Sequence, residues 1–114
     1  MLNAVFNLKE CEFGGQYLEP LFGFVISGHA GYGEAKSEYE GNDIVCAAVS
    51  SCAMLVCNAI TENFSANAEV KVEENRISLQ LKEFNVAAVN LITALYEHLT
   101  SLSENYSSVN VEIN

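Results

Sequence analysis

The sequence has no tryptophan, a single proline and only five basic side chains. With Pro20 the lone proline, half the residues hydrophobic and no low-complexity tract, a disordered or linker-dominated chain is excluded. The 114 residues are read as one domain, 1–114, large enough to bury a core and too short for a second. The bases Lys9, Lys36, Lys71, Arg76 and Lys82 are scattered and faced by fifteen acids, for a net charge of −10. No basic patch is left to neutralise phosphates, so nucleic acid is not expected as a partner. The acidic balance serves solubility, or steers a basic partner. Four cysteines, Cys11, Cys46, Cys52 and Cys57, form no C-x-x-C pair and no Cys/His zinc pattern. Neither a metal nor another cofactor is expected, and the cysteines are read as thiols of a reducing compartment. The amino terminus lacks the basic flank and continuous apolar core of a secretory signal, which points to the cytoplasm. The apolar stretch 44–60 is seventeen residues interrupted by Ser50, Ser51 and Asn58, short of the ~20 a bilayer needs, so no membrane span is expected.

What is present is periodicity. Leu2, Ala4, Phe6 and Leu8 alternate with polar neighbours, as in a half-buried strand. Residues 10–20, with Gly14, Gly15 and Pro20, read as a loop, and Leu21–Ser27 as an apolar strand ending at Gly28. A glycine-containing charged loop follows over 30–40, and then a helix over about 42–63. Stretches 68–73 and 76–82 alternate on either side of Glu74-Asn75, which predicts a hairpin with one wet face. A second amphipathic helix is predicted over 86–103, capped by Asn85, with Val89, Ile92, Leu95, Leu99 and Leu102 on one face. His98 on that helix is read as solvent-facing or packed. The segment 107–113 should be a fifth strand. The order ββαββαβ predicts an α/β two-layer sandwich: a five-stranded mixed sheet with two helices on one face. So high an apolar fraction in a small chain makes a homodimer plausible.

The chemistry-bearing residues cluster between 28 and 60. Ile44, Val45, Ala48, Val49, Cys52, Leu55, Val56, Ala59 and Ile60 recur at helical spacing, and Gly41-Asn42-Asp43 has the composition of a bend and N-cap. That start would put Cys46 in the first helical turn. There, unpaired N–H groups and the helix dipole favour a thiolate, lowering a thiol from ~8.5 to about 3.5–7.5. His29 lies upstream at a predicted strand end. A Cys at a helix start facing a His is the minimum equipment for thiol nucleophilic catalysis, although a Cys in an Ala- and Val-rich helix is also a common small core residue.

Ser-Gly-His-Ala at 27–30 and Gly-Asn-Asp-Ile-Val-Cys-Ala-Ala-Val-Ser at 41–50 resemble the two signature blocks of the ribosomal-processing cysteine protease family (Prp). The resemblance implies a catalytic dyad of His29 and Cys46, with residues 31–40 as a substrate-gating loop in which Gly31 and Gly33 give freedom and Tyr32 and Tyr39 could pack over a peptide. It implies a homodimer, and removal of a short N-terminal extension from a basic large-subunit ribosomal protein, cut after an aromatic residue. The sixteen residues between His29 and Cys46 exceed the length expected for the family, with the excess around Glu34–Glu40. Asp43 could orient His29 but more simply caps the helix, and Ser50, one turn beyond Cys46, could lie near the site. The rival reading is a non-enzymatic ribosome-assembly or ribosome-associated binding protein, in which His29 ends a strand and Cys46 fills space.

Overall fold

Leu2–Leu8 (β1) buries Leu2, Ala4 and Phe6 and leaves Asn3, Val5 and Asn7 half-buried, because successive side chains of a strand point to opposite faces. The computed structural model describes residues 1–28 and 44–114 in full and residues 36–43 by their helical backbone, and residues 29–35 fall outside the description. After β1 come Cys11–Phe13 (β2), Gln16–Leu18 (β3) and Leu21–Gly28 (β4). Next are Lys36–Asn58 (α1), which runs into a π-helical turn at Ala59–Asn63, then Ala68–Glu73 (β5) and Arg76–Leu81 (β6), and finally Val86–Asn105 (α2) and Val109–Ile113 (β7).

The main sheet has five strands in the order β5-β6-β4-β1-β7. Only the β1–β7 pair is parallel, so the sheet is mixed. Its register stacks Phe6, Phe24, Leu79 and Val70 on one row and Ala4, Ile26, Ile77 and Val72 on the next, all on the same face. On that face Val49, Ala53 and Cys57 of α1 and Ala88, Ile92 and Leu99 of α2 complete one core. Phe6 is fully buried and meets the ring of Tyr96 edge-on at 5.2 Å between centroids. The other face carries Asn3, Asn7, Gln80 and Asn110, with Asn110 donating to the Asn3 side chain at 3.3 Å. The predicted two-layer α/β sandwich is therefore the observed one.

Two elements differ from the sequence reading. The expected loop over 10–20 is a small hairpin, β2 paired with β3. Gly14 and Gly15 have φ of +60° and +81°, both in the left-handed region a tight hairpin turn requires, so these glycines join strands rather than merely interrupt them. The second difference is α1, which begins at Lys36 rather than near Asn42. The cap-like Gly41-Asn42-Asp43 lies inside it, because a helix already running can carry an internal Gly at a cost of about 1 kcal/mol relative to Ala.

Ile44–Asn63 is long and apolar enough to cross a membrane by length and composition, longer than the seventeen residues read from the sequence. About a third of it is buried in this fold, where Val45, Val49, Ala53, Val56 and Ile60 pack on the sheet as a core helix does. The predicted cap on α2 is present: the Asn85 side chain accepts from the Ala88 N–H at 2.9 Å. Asn85→Ala is expected to cost about 1 kcal/mol, measured as a lower urea midpoint with an unchanged denaturant slope.

Candidate active site

Three side chains spaced four residues apart along α1, Cys46, Ser50 and Met54, share one stripe of the helix. That stripe forms one wall of a cleft of about 260 Å³. The floor is apolar, from Leu2 of β1, Ile26 of β4 and Ile77 of β6. The opposite rim is the β5–β6 hairpin end, with Val72, Glu73 and Arg76. Gly28, the last residue of β4 and the one bonded to His29, closes the end of the cleft.

The sheet explains why these parts meet. β4 is flanked by β1 and β6, so its end, the start of β1 and the β5–β6 turn form one corner, over which α1 passes. Gly28 has φ +91° and donates its N–H to the Asn75 carbonyl at 3.0 Å, which ties the strand end to the hairpin turn. A side chain at 28 would run into the Met1 carbonyl. Arg76 and Glu73 face each other across the turn at 3.6 Å, both about half exposed, an ion pair of small net worth.

Cys46 is partly buried and Ser50 is exposed on the cleft wall, so the structure brings these two expected residues together. His29, Gly31, Tyr32 and Gly33 lie outside the described residues. Tyr39 and Asp43 belong to α1, and their side chains are likewise outside the description. Residues 36–40, expected in a gating loop, are the first turns of the helix. Cys46 is correspondingly not in the first turn. Ten residues of helix precede it, and its N–H falls within the i→i−4 ladder, so the free-amide and dipole argument made for a helix start does not apply at this position.

Sequence reasoning missed Met54, Val72, Glu73 and Arg76. Met54 was accessible from the four-residue spacing with Cys46 and Ser50. The hairpin residues were not, because nothing local says that β6 pairs with β4.

The remaining cysteines separate by environment. Cys57 is 1% exposed, and burial pushes its thiol up from 9.0 to about 11. The folded protein therefore holds this proton more tightly than the unfolded chain. The resulting stability is complete below pH 9 and is lost as pH rises towards 11. Thermal midpoints of wild type and Cys57→Ala, measured from pH 8 upward, are expected to converge over that window. Cys52 and the exposed His98 line a separate, largely apolar groove between α1 and α2. Among the described residues no cluster of three His, Cys, Asp or Glu side chains could hold a metal ion.

Comparison with known proteins agrees with this fold. The structure superposes on SMU.848 from Streptococcus mutans with a TM-score of 0.75 at 27% identity, covering 99% of this chain and 93% of that one. It superposes with the same TM-score of 0.75 on the essential ribosomal processing protease Prp from S. aureus with a covalently linked product peptide, at 17% identity and with full coverage of both chains. The S. aureus protease with a substrate peptide gives a TM-score of 0.75 at 20% identity, covering 100% of this chain and 98% of that one. At these last two identities the likeness establishes the fold. No curated protein sequence matches the chain. The model of the cysteine protease Prp family matches residues 11–111, nearly the whole length, and the chain belongs to that family.

Proposed function

We propose that the protein is a cysteine endopeptidase that removes a short N-terminal extension from a basic large-subunit ribosomal protein, with Cys46 as nucleophile and His29 as general base. The observation that carries this reading is that one cleft is lined both by Cys46 and by Gly28, the residue bonded to His29. His29 takes the proton of the Cys46 thiol, and the sulfur attacks the scissile carbonyl carbon. The tetrahedral species collapses with loss of the amine, which receives the proton from His29. Water, deprotonated by His29, then attacks the thioester, releasing the new carboxylate and restoring the thiol. The apolar floor of Leu2, Ile26 and Ile77 suits an aromatic side chain before the cut. The net charge of −10 attracts a basic segment beyond it.

The oxyanion needs donors that the helical Cys46 N–H does not offer while paired in its ladder. Those amides come free if the turns before Ile44 open, and Gly41 is the weakest position at which they can do so. Asn42 and Asp43 then serve as the cap of the shortened helix, and residues 31–40 act as the substrate-gating loop. We place the enzyme in the cytoplasm, as a homodimer. The second copy covers the outer side of α1, where Ile44 and Leu55 are 71% and 70% exposed.

The test is to incubate the protein with the precursor ribosomal protein of its own organism and read the new amino terminus by mass spectrometry. Removal of the extension, lost in Cys46→Ala, is expected. An uncut precursor alongside cleavage of unrelated aromatic peptides keeps the protease and discards the ribosomal substrate. No cleavage of any peptide, with stable binding to ribosomal particles, hands the case to an assembly factor.

A further inference from the structure

β5 is an edge strand, and its backbone can be phased from two hydrogen bonds. Gly28 N–H donates to the Asn75 carbonyl at 3.0 Å, and Lys82 N–H to the Asn67 carbonyl at 2.8 Å. The first makes Ser27 and Arg76 a non-bonded pair of β4 and β6, so Arg76 turns its N–H and C=O towards β5. The second makes Leu81 and Ala68 a non-bonded pair of β6 and β5. Both give one phase: Glu69, Lys71 and Glu73 spend their backbone groups on β6, whereas Ala68, Val70 and Val72 direct theirs outwards. Among the described residues no strand pairs with that side of β5.

The side chains of the outward-directed residues lie on the helix-bearing face, in the rows of Leu81, Leu79 and Ile77. Val72 is 57% exposed although its row partners Ile77 and Ile26 line the cleft floor. A strand added to β5 would put the residue opposite Val72 on this same face, beside the cleft that holds Cys46. On the other face Glu69 lies 3.8 Å from Lys71 and 3.9 Å from Lys82, and Glu73 lies 3.6 Å from Arg76, so the added strand would set alternate residues against paired charges of both signs.

From this we infer that the outer edge of β5 docks the substrate as a sixth strand, an extended peptide segment alternating apolar residues against Val70 and Val72 with uncharged polar residues against Glu69, Lys71 and Glu73. The inference rests on the protease reading and names a part of the substrate away from the cut. From the new strand to the end of β4 is three strand spacings, roughly 14 Å, so the docked segment stands about four residues from the scissile bond. The free edge of β7 carries no such role, since β1 and β4 separate it from the β5–β6 rim.

The test uses wild-type protein and a synthetic peptide in which alternating Val and Gln precede a Phe-Ala bond, N-methylated at one backbone position at a time. An alternating pattern is expected, with KM raised about tenfold at every second docked position and unchanged between them. A flat profile in a peptide that is still cut overturns the docking edge and leaves the protease standing. A second measurement is independent of turnover. In Cys46→Ala, saturating unmethylated peptide is expected to slow exchange of the Val70 and Val72 amides at least about tenfold, with Lys71 and Glu73 already slow in the β6 ladder. Unchanged exchange at Val70 and Val72 overturns the inference whether or not any peptide is cut. So does exchange already slow without peptide in protein that sediments as a pair, since a second copy then occupies the edge.

Discussion

Cys46→Ala is expected to lower kcat/KM for peptide cleavage by on the order of 10⁴-fold or more while leaving the protein folded. Alanine is the best helix former, and position 46 lies within α1 on the cleft wall rather than in the packed interior. Its unfolding free energy should stay within about 1 kcal/mol of wild type. The mirror-image result is expected from Cys57→Ala. That side chain is fully packed, so its loss lowers the thermal midpoint and leaves turnover per folded molecule unchanged. His29→Ala should match Cys46→Ala in a peptide assay. A Cys46→Ala protein that unfolds in step with its loss of activity would show Cys46 to be structural, and full activity in His29→Ala would remove that residue from the mechanism.

The second large effect is expected from Gly28→Ala. The backbone there has φ +91°, which costs an L side chain about 1–3 kcal/mol, and the added Cβ meets the Met1 carbonyl. Relief requires the end of β4 to move away from the start of β1. That movement shifts two edges of the cleft at once, because Gly28 and Leu2 both line it, and His29 follows directly. A displacement of about 1 Å is worth about 10² in rate, so kcat should fall by roughly that factor with only partial loss of stability. The measurement is kcat at saturating peptide on material shown by circular dichroism to be folded. Wild-type kcat would mean that the strand end does not position the chemistry.

Much of this architecture could be read from local pattern. Period-two alternation located β1, β5 and β6, and Asn85 announced α2 through a cap the structure retains. Two readings failed for related reasons. Gly14-Gly15 was taken as a break when a pair of positive-φ residues is what a hairpin turn needs, and Gly41-Asn42-Asp43 was taken as a helix start when the helix runs through it. In both, short polar and glycine-rich stretches fit two backbone courses, and packing beyond the window chose between them. For the site, the two signature blocks supplied Cys46, and spacing could have supplied Met54. The rim at Val72, Glu73 and Arg76 depended on the sheet order, in which β6 and not β5 neighbours β4.

That strand order also governs when the site can exist during synthesis. β1 spans Leu2–Leu8, yet one of its two neighbours is β7 at Val109–Ile113, made long after it, and the Leu2 N–H is satisfied by the Ser108 carbonyl at 2.8 Å. Contacts so distant along the chain pay their loop-closure entropy late, which slows folding relative to helical domains of the same size. On the ribosome, β1 waits with one edge open until residues 109–113 have left the exit tunnel, and Leu2, part of the cleft floor, waits with it. Completion of the cleft around Cys46 is thereby tied to the emergence of β7, and a nascent copy still lacking residues 109–113 has no complete cleft.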